Sequence, residues 1–289
     1  MSKNTPSKPQ GDALEKLAKW DSYVAIGDSF TEGMMDSANP ENPDNLMFGW
    51  ADRLAWELSR RRMAAGLTPL KYANLAIRGR KLPQIAAEQM ATALEMRPAL
   101  ISIIGGGNDL VRVPRDPDHL SRLVESMVVS ARETGADVLL GTIQDSKGSP
   151  IISSMRPATA EFNANIWSIA QRHGCYVLDQ WGLRPIHTMN PWAPDRFHLK
   201  PIGHELMMNH ALRALGLEPC YPEYDQVFRD EGITKWTFSQ NREWVKNHLV
   251  PWIKRHARGR SSGDGRSAKF PHLTVLDPHD LPAPPVTLQ

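Results

Sequence analysis

Short apolar segments alternate with segments of helical periodicity between about residues 20 and 216, and this alternation limits the possible folds most. The apolar segments are almost continuously hydrophobic, which is typical of strands that are covered on both faces. Alternation of strands and helices indicates an α/β protein whose parallel sheet has helices on both sides. Five strands are predicted, at residues 22–27, 70–76, 99–105, 137–143 and 175–180.

Length and composition exclude several classes of protein. With 289 residues, 41% of them hydrophobic and 23% charged, the chain can bury one sizeable core, which excludes a mostly disordered protein. No segment approaches the roughly 20 apolar residues of a membrane-spanning helix, so we expect no stable membrane insertion. The first 20 residues contain no apolar stretch of the kind found in signal peptides, so we expect a cytoplasmic protein, with export after removal of a signal as the alternative.

The net charge and the cysteine content argue against several kinds of ligand and cross-link. A net charge of +2 argues against nucleic acid as a partner of the whole protein. The chain has only two cysteines, Cys175 and Cys220, which form no CxxC pair and no disulfide framework. The pair His204-Glu205 resembles the start of a zinc-binding HExxH motif, but Met208 stands where the second histidine is required. No metal site is therefore predicted.

Small and reactive residues follow the predicted strands. A parallel α/β sheet binds ligands beyond the carboxyl ends of its strands, so these positions form the candidate site. Three segments follow the first three strands, and a fourth precedes the last helix of the core. The four segments are GDSFTEG at 27–33, NLAIRG at 74–79, GGND at 106–109 and DRFHL at 195–199.

Three of these residues suit nucleophilic catalysis. The hydroxyl of Ser29 is a weak nucleophile at neutral pH and needs a neighbouring base. The imidazole of His198 can accept its proton and return it to a leaving group. Asp195 lies three residues earlier and can orient that ring. Ser29, His198 and Asp195 are therefore the candidate catalytic residues.

Donors for a developing oxyanion are also available. The backbone N–H of Ser29 would lie at the start of a helix, where amides lack partners within the helix. Gly79 can offer a second N–H without a Cβ beside the substrate, and the side chain of Asn108 can offer an amide donor. Ser29, Gly79 and Asn108 are therefore the candidate oxyanion hole.

In their order and spacing, the four segments resemble the blocks of the SGNH hydrolases, also called the GDSL esterase/lipase family. The resemblance implies a flavodoxin-like, three-layer α/β/α sandwich. It also implies cleavage of a small-molecule carboxylic ester without a metal or an organic cofactor. By this resemblance Ser29 is the nucleophile, Asp195 and His198 complete the triad, and Ser29, Gly79 and Asn108 form the oxyanion hole.

Each of these residues also has a purely structural interpretation. Ser29 can cap a helix, His198 can pack, and Gly79 and Asn108 can serve turns. Asp28 and Asp109 fit structural roles in which their carboxylates accept bonds from loop amides. Arg78 next to Gly79 fits a salt bridge better than an anion site. Trp181 and Trp192 can line a substrate pocket or pack under their own loop, and the sequence does not separate these two roles.

Outside the core we predict two extensions, so that residues 1–19, 20–216 and 217–289 form the N-terminal extension, the hydrolase domain and the C-terminal extension. The last contains a helical face with Val245, Leu249 and Trp252, and a proline-rich tail. Its tryptophans can pack on the core, cover the site or join two subunits of a homo-oligomer.

Three functions fit this pattern of residues. The first is hydrolysis of acyl or acetyl esters through an acyl-enzyme. The second is an acyltransferase that uses the same acyl-enzyme but passes the acyl group to an alcohol. The third is a non-catalytic module that binds an acylated or glycan ligand. The complete set of triad and oxyanion residues favours the first function over the third.

Overall fold

The computed structural model describes residues 11–36, 48–147, 153–188, 190–227, 237–251, 254 and 261–279. Its centre is a six-stranded sheet with the strand order β5-β4-β3-β1-β2-β6. The first five strands are parallel and correspond to the five predicted segments. The strands are β1 (Ser22–Gly27), β2 (Leu70–Asn74), β3 (Leu100–Ile104), β4 (Asp137–Gly141), β5 (Tyr176–Leu178) and β6 (Phe270–Leu276).

In the described chain one helix precedes β1 and the other helices lie between successive strands. A π-helical segment, Ile85–Met90, joins α4 to α5, and another, Val245–Leu249, continues α10. Short 3-10 turns lie at Ser153–Met155, Arg184–His187 and Tyr224–Gln226. The helices are α1 (Asp12–Lys19), α2 (Ser29–Glu32), α3 (Trp50–Ala64), α4 (Leu82–Gln84), α5 (Ala91–Glu95), α6 (Gly107–Leu110), α7 (Pro117–Glu133), α8 (Arg156–His173), α9 (Pro201–Ala214) and α10 (Phe238–Trp244).

Two apolar clusters lie on opposite faces of the sheet. Successive side chains of a strand point to opposite faces, and in β1 Tyr23 and Ala25 belong to one cluster while Val24 and Ile26 belong to the other. Helices α1, α3 and α9 cover the first face, and α4, α5, α7 and α8 cover the second. The predicted three-layer α/β/α architecture is therefore confirmed.

The sheet has one strand more than the five predicted. Strand β6 pairs antiparallel with β2 and places Leu276 beside Leu70 and Phe270 beside Asn74. The register shifts between Tyr72 and Asn74, which marks a bulge. The prediction of a purely parallel, five-stranded sheet is wrong in this respect, because the C-terminal region returns to the sheet edge. Pro271 suits this position, since a proline in a sheet is tolerated on an edge strand.

Both predicted extensions pack on the core where they are described. In α1 the side chain of Leu17 is fully buried, and Trp20 just after it donates its indole N–H to Asp137. Helix α10 and its π-helical continuation bury Trp244 and Leu249. The predicted roles of Trp252 and of the proline-rich tail beyond residue 279 lie outside the described residues. In the described part of the chain, no helix has both the length and the apolar character needed to cross a membrane.

Candidate active site

Ser29 lies directly beyond the carboxyl end of β1. In the strand order found here, β1 and β3 flank the point at which the chain changes its winding direction, and α/β proteins of this topology bind ligands at that point. Ser29 is the first residue of α2, and Asp28 caps this helix by accepting the amide of Phe30 at 3.1 Å. Gly33 ends it with φ 89°, a conformation that favours glycine. The helix is therefore a single turn with the serine at its start.

The structure brings the three candidate catalytic side chains into one chain of hydrogen bonds. Nε2 of His198 lies 3.0 Å from Oγ of Ser29, although the two residues are 169 positions apart in sequence. Nδ1 of the same ring lies 2.6 Å from Oδ2 of Asp195. With Nδ1–H donated to Asp195, Nε2 is free to accept the hydroxyl proton of Ser29.

The carboxylate of Asp195 is held in its ionised form. Its Oδ1 accepts the backbone amides of Phe197 at 3.0 Å and His198 at 3.1 Å, which closes the turn between the acid and the base. Burial raises the pKa of Asp195, but the hydrogen bonds from the His198 ring and from these amides outweigh burial and hold the pKa below its usual value. Asp195 is therefore ionised at neutral pH.

Asn108 is tied to the nucleophile segment through Asp28. Its Nδ2 donates to Oδ2 of Asp28 at 3.2 Å and to the carbonyl of Arg80 at 3.0 Å. The amide side chain therefore connects the residue before Ser29 with the residue after Gly79. Burial raises the pKa of Asp28 to about 6, against the opposing effects of the Phe30 amide and the nearby His198.

Gly79 adopts a backbone conformation that other residues rarely adopt. Its φ is 75°, and a Cβ at this position would overlap the hydroxyl of Ser261. The segment before it is joined to α2 by Glu32, whose carboxylate accepts the backbone amide of Arg78 at 2.5 Å and its guanidinium at 2.6 Å. The predicted salt-bridge role of Arg78 is therefore confirmed. The loop that carries Gly79 is fixed to the helix that carries Ser29.

A family model describes this same set of elements. The model of the GDSL-like lipase/acylhydrolase family matches residues 25–206, which include Ser29, Gly79, Asn108, Asp195 and His198. The chain belongs to the GDSL-like lipase/acylhydrolase family. This membership confirms the predicted SGNH or GDSL resemblance and makes the chain a carboxylic ester hydrolase. None of the curated proteins matches it.

Several solved structures share the fold of this GDSL-like hydrolase. LAE5, an alpha/beta hydrolase enzyme from the metagenome of Lake Arreo in Spain, is 22% identical, with a TM-score of 0.56 over 68% of this chain and 95% of its own. TesA is 22% identical, with a TM-score of 0.52 over 67% and 99%. Axe2, an acetylxylan esterase from Geobacillus stearothermophilus, is 21% identical, with a TM-score of 0.57 over 70% and 97%.

Two buried residues that were not predicted from the sequence hold the backbone on either side of Ser29 in this GDSL-like site. Buried Gln89 clamps the backbone of Gly27 with both ends of its amide, at 2.8 and 2.9 Å. Asn74 donates to the carbonyl of Thr31 in α2 at 2.9 Å. Gln89 lies on a helix with no reactive neighbour, so no local signal marks it. Asn74 stands in the NLAIRG segment, and a polar residue at the end of a buried strand is the signal that could have found it.

The structure also shows what His204 and Trp192, two residues near the site, contact. Nδ1 of His204 accepts the Trp50 amide and its Nε2–H faces the carbonyl of Met34, while burial lowers the pKa of this ring to about 3. Among the described residues, no group of three or more His, Cys, Asp or Glu side chains could hold a metal ion. Trp192 donates its indole N–H to the carbonyl of Ile186 in its own loop, and its ring also packs against the ring of Phe30, the residue after Ser29.

Two further structural predictions are confirmed. Asp28 binds the amide of Phe30, as described above, and Asp109 accepts the amide of Leu82 at 3.0 Å. Both carboxylates therefore tie loop backbone rather than standing free for acid catalysis. Trp181 lies under the guanidinium of Arg156, whose centre is 5.2 Å from the ring.

Proposed function

We propose that this protein hydrolyses small-molecule carboxylic esters through a covalent acyl-enzyme on Ser29. The observation that carries the proposal is the uninterrupted hydrogen-bond chain from Asp195 through His198 to Ser29. A serine hydroxyl needs such a base to become nucleophilic, and the base needs a partner that fixes its tautomer. The family membership supports the same reaction.

In the first half of the reaction, Oγ of Ser29 attacks the ester carbonyl carbon while Nε2 of His198 takes the hydroxyl proton. The carbonyl oxygen becomes an oxyanion, and Asp195 stabilises the charged imidazole. The bond between the carbonyl carbon and the alcohol oxygen then breaks, and His198 gives its proton to the leaving alcohol. The acyl group remains on Ser29.

In the second half, a water molecule attacks the acyl carbon and gives a proton to His198. The bond between the acyl carbon and Oγ breaks, the carboxylic acid leaves, and the proton returns to Ser29. No oxidant, metal or cofactor is required for this balance of atoms and charge.

We propose that the oxyanion is held by the backbone N–H groups of Ser29 and Gly79 and by the side-chain amide of Asn108. The Asn108 amide donates to Asp28 and to the carbonyl of Arg80, and these two hydrogen bonds hold it next to the turn that carries Ser29. Its bond to Asp28 is the longer of the two, and we assign this N–H to the oxyanion when substrate is present. Donors placed in advance stabilise the transition state without reorganisation.

The test compares Ser29→Ala with a matched control, Ser168→Ala, which removes an exposed hydroxyl from α8. Turnover of nitrophenyl esters from acetyl to palmitoyl and of acetylated sugars is measured, together with labelling by a fluorophosphonate probe. We expect S29A to lose at least about 10³-fold in kcat and all labelling, and S168A to keep both. Turnover or labelling that survives in S29A would refute the proposal.

An acceptor experiment separates hydrolysis from acyl transfer. Wild-type enzyme is given a nitrophenyl ester with and without glycerol, and the products are identified by mass spectrometry. The proposed hydrolase yields the free acid as its main product in both cases. A new glycerol ester as the main product would instead identify an acyltransferase.

A further inference from the structure

The C-terminal region contacts three of the four segments that form the site. We use the name C-terminal brace for its described residues 237–251 and 261–276. The family match ends at residue 206, so the brace lies beyond the part of the chain that the family shares. Solved relatives are covered almost completely by about two thirds of this chain. The brace is therefore not part of the family match.

Its first contact fixes the loop that carries the acid and the base. The indole N–H of Trp244 donates to the backbone carbonyl of Asp195 at 2.7 Å, and both groups are buried. The Trp244 ring also lies 5.6 Å from the ring of Phe197, the residue before His198. Trp244 therefore contacts the loop at Asp195 and at Phe197, on either side of Arg196.

This loop needs such support because of Arg196. Its φ is 58°, in the left-handed region that side chains other than glycine rarely adopt. The guanidinium of Arg196 lies 4.9 Å above the Trp244 ring and donates to Oδ1 of Asn241 at 2.8 Å. The strained residue stands between the two catalytic side chains, so the contacts that hold it also hold the distance between Asp195 and His198.

The second contact lies on the oxyanion loop. The Ser261 hydroxyl donates to the carbonyl of Arg78 at 3.3 Å and accepts the amide of Gly263 at 3.0 Å. It fills the space that a side chain at Gly79 would need. Gly263 is packed against the same carbonyl so closely that a Cβ there would overlap it. The turn at 261–264 therefore contacts the peptide group between Arg78 and Gly79, whose N–H is the proposed oxyanion donor.

The third contact ends the nucleophile helix. Nζ of Lys269 donates to the carbonyl of Glu32, the last residue of α2, at 2.5 Å. The same ammonium pairs with the buried carboxylate of Asp52 at 2.5 Å. Carbonyls at the end of a helix have no partner within it, so a cation from the brace satisfies the end of the turn that presents Ser29.

We propose that the C-terminal brace is a positioning element of the active site, in which Trp244, Ser261 and Lys269 hold the acid–base loop, the oxyanion loop and the nucleophile helix in register. The inference rests on the proposed function for its kinetic consequence. None of the three residues touches the reacting atoms. They act through the backbone of the segments that carry them, so their loss reduces kcat and leaves KM nearly unchanged.

The experiment uses the full chain with Trp244→Phe and Ser261→Ala. The first keeps an aromatic ring against Phe197 and Arg196 but removes the N–H, and the second removes one hydroxyl. Trp167→Phe, at a half-exposed position on α8, is the matched control. We measure kcat and KM for a nitrophenyl ester and, independently, backbone hydrogen exchange by mass spectrometry.

We expect W244F to lower kcat by about 10- to 100-fold with KM within about twofold, because small misplacements of catalytic groups are costly. Exchange in the 195–198 segment should rise at least about tenfold in W244F, and exchange in the 77–80 segment should rise in S261A, while strand β3 stays at the wild-type rate. W167F should match the wild type throughout.

Two results would overturn the proposal. One is local exchange and kcat at wild-type levels in both variants. The other is a uniform rise in exchange that includes β3, which would mean that the contacts contribute to general stability alone. Hydrogen exchange requires no ester turnover, so it decides the bracing question even if the wild-type enzyme cleaves no ester and the proposed function fails.

Discussion

Oδ2 of Asp195 lies 2.6 Å from Nδ1 of His198, and the ring's other nitrogen faces the hydroxyl of Ser29. This contact fixes which nitrogen carries the proton. In Asp195→Asn an amide replaces the carboxylate, so the tautomer with Nε2 as acceptor is no longer favoured. We expect kcat for a nitrophenyl ester to fall by about 10⁴-fold, as in other triads. Asp118→Asn, at an exposed position of α7, is the control and should match the wild type. A loss below tenfold in D195N would contradict the role.

Removal of the Asn108 amide should slow the reaction without changing the fold. Asn108→Ala removes a proposed oxyanion donor, for which a loss of about 10²–10³-fold in kcat is typical. Asn165→Ala is the matched control, because its amide contacts Asp118 on the exposed side of α8. Steady-state kinetics of both variants provide the measurement. Equal effects of the two substitutions would exclude a specific role for Asn108.

Asp28 should give the protein a recognisable dependence of stability on pH. Its pKa in the folded state is raised from 3.8 to about 6 by burial, so between these values the folded chain binds more protons than the unfolded chain. The ionised group therefore reduces stability, and this reduction grows as the pH rises from about 4 to 6 and is constant above. It amounts to about 3 kcal/mol, since one pKa unit is worth about 1.4 kcal/mol.

The measurement is urea unfolding of the wild type and of Asp28→Asn at several pH values. The free energy of unfolding of D28N minus that of the wild type should increase by about 3 kcal/mol between pH 4 and pH 7 and then level off. Effects of the amide that do not depend on pH cancel in this comparison. A difference that stays constant across the whole range would show that Asp28 has an ordinary pKa.

Lys269 should be a large contributor to stability. Its ammonium and the Asp52 carboxylate are both mostly buried, and burial raises the pKa of Asp52 while Lys269 opposes that rise. Lys269→Met leaves this carboxylate buried without its cation, which typically costs about 3–5 kcal/mol. The variant K269M/D52N should recover part of the loss, because it removes the unpaired charge. Denaturant unfolding tests both.

The control for this prediction is Lys71→Met, on the neighbouring strand β2, where the side chain is exposed. Its free energy of unfolding should change by less than about 1 kcal/mol, as at other surface positions. If K269M behaved like K71M, the buried pair would contribute no more than a surface ion pair. The contact of Lys269 with α2 would then contribute little to stability.

The parallel core was predictable because burial on both faces leaves a clear mark in the sequence. Strands such as Leu100–Ile104 must be apolar along their whole length, and the segments after them must carry polar groups where the chain turns back. The candidate site followed from the same argument, because parallel strands bring their carboxyl ends to one edge. The pairing of Ser29 with His198, 169 positions away, is predicted instead from the chemistry of the two side chains and from the family resemblance.

Strand β6 was missed because its pattern is irregular. In FPHLTVL the half-buried positions are Phe270, Leu273 and Leu276, three residues apart, where a regular strand would alternate every second residue. The bulge in its pairing with β2 breaks the alternation. The segment contains aromatic and β-branched residues, which are typical of strands, but without alternation they do not by themselves predict one.

The contacts of the brace could not be predicted for a different reason. The Trp244 indole and the Ser261 hydroxyl meet backbone carbonyls, which every residue possesses, so the sequence of the partner carries no mark of the contact. The sequence predicts that Gly79 is either an oxyanion donor or a residue that a turn requires. A further constraint on this glycine, the nearby Ser261, appears only once the C-terminal region is placed.

The antiparallel edge strand has a consequence for synthesis. Lys269, one residue before β6, reaches the carbonyl of Glu32 from 237 positions away, so the serine-bearing turn leaves the ribosome long before its partner exists. At translation rates of about 5–20 residues per second the interval is roughly 10–50 s. During that interval the end of α2 lacks the cation that contacts its last carbonyl in the folded chain.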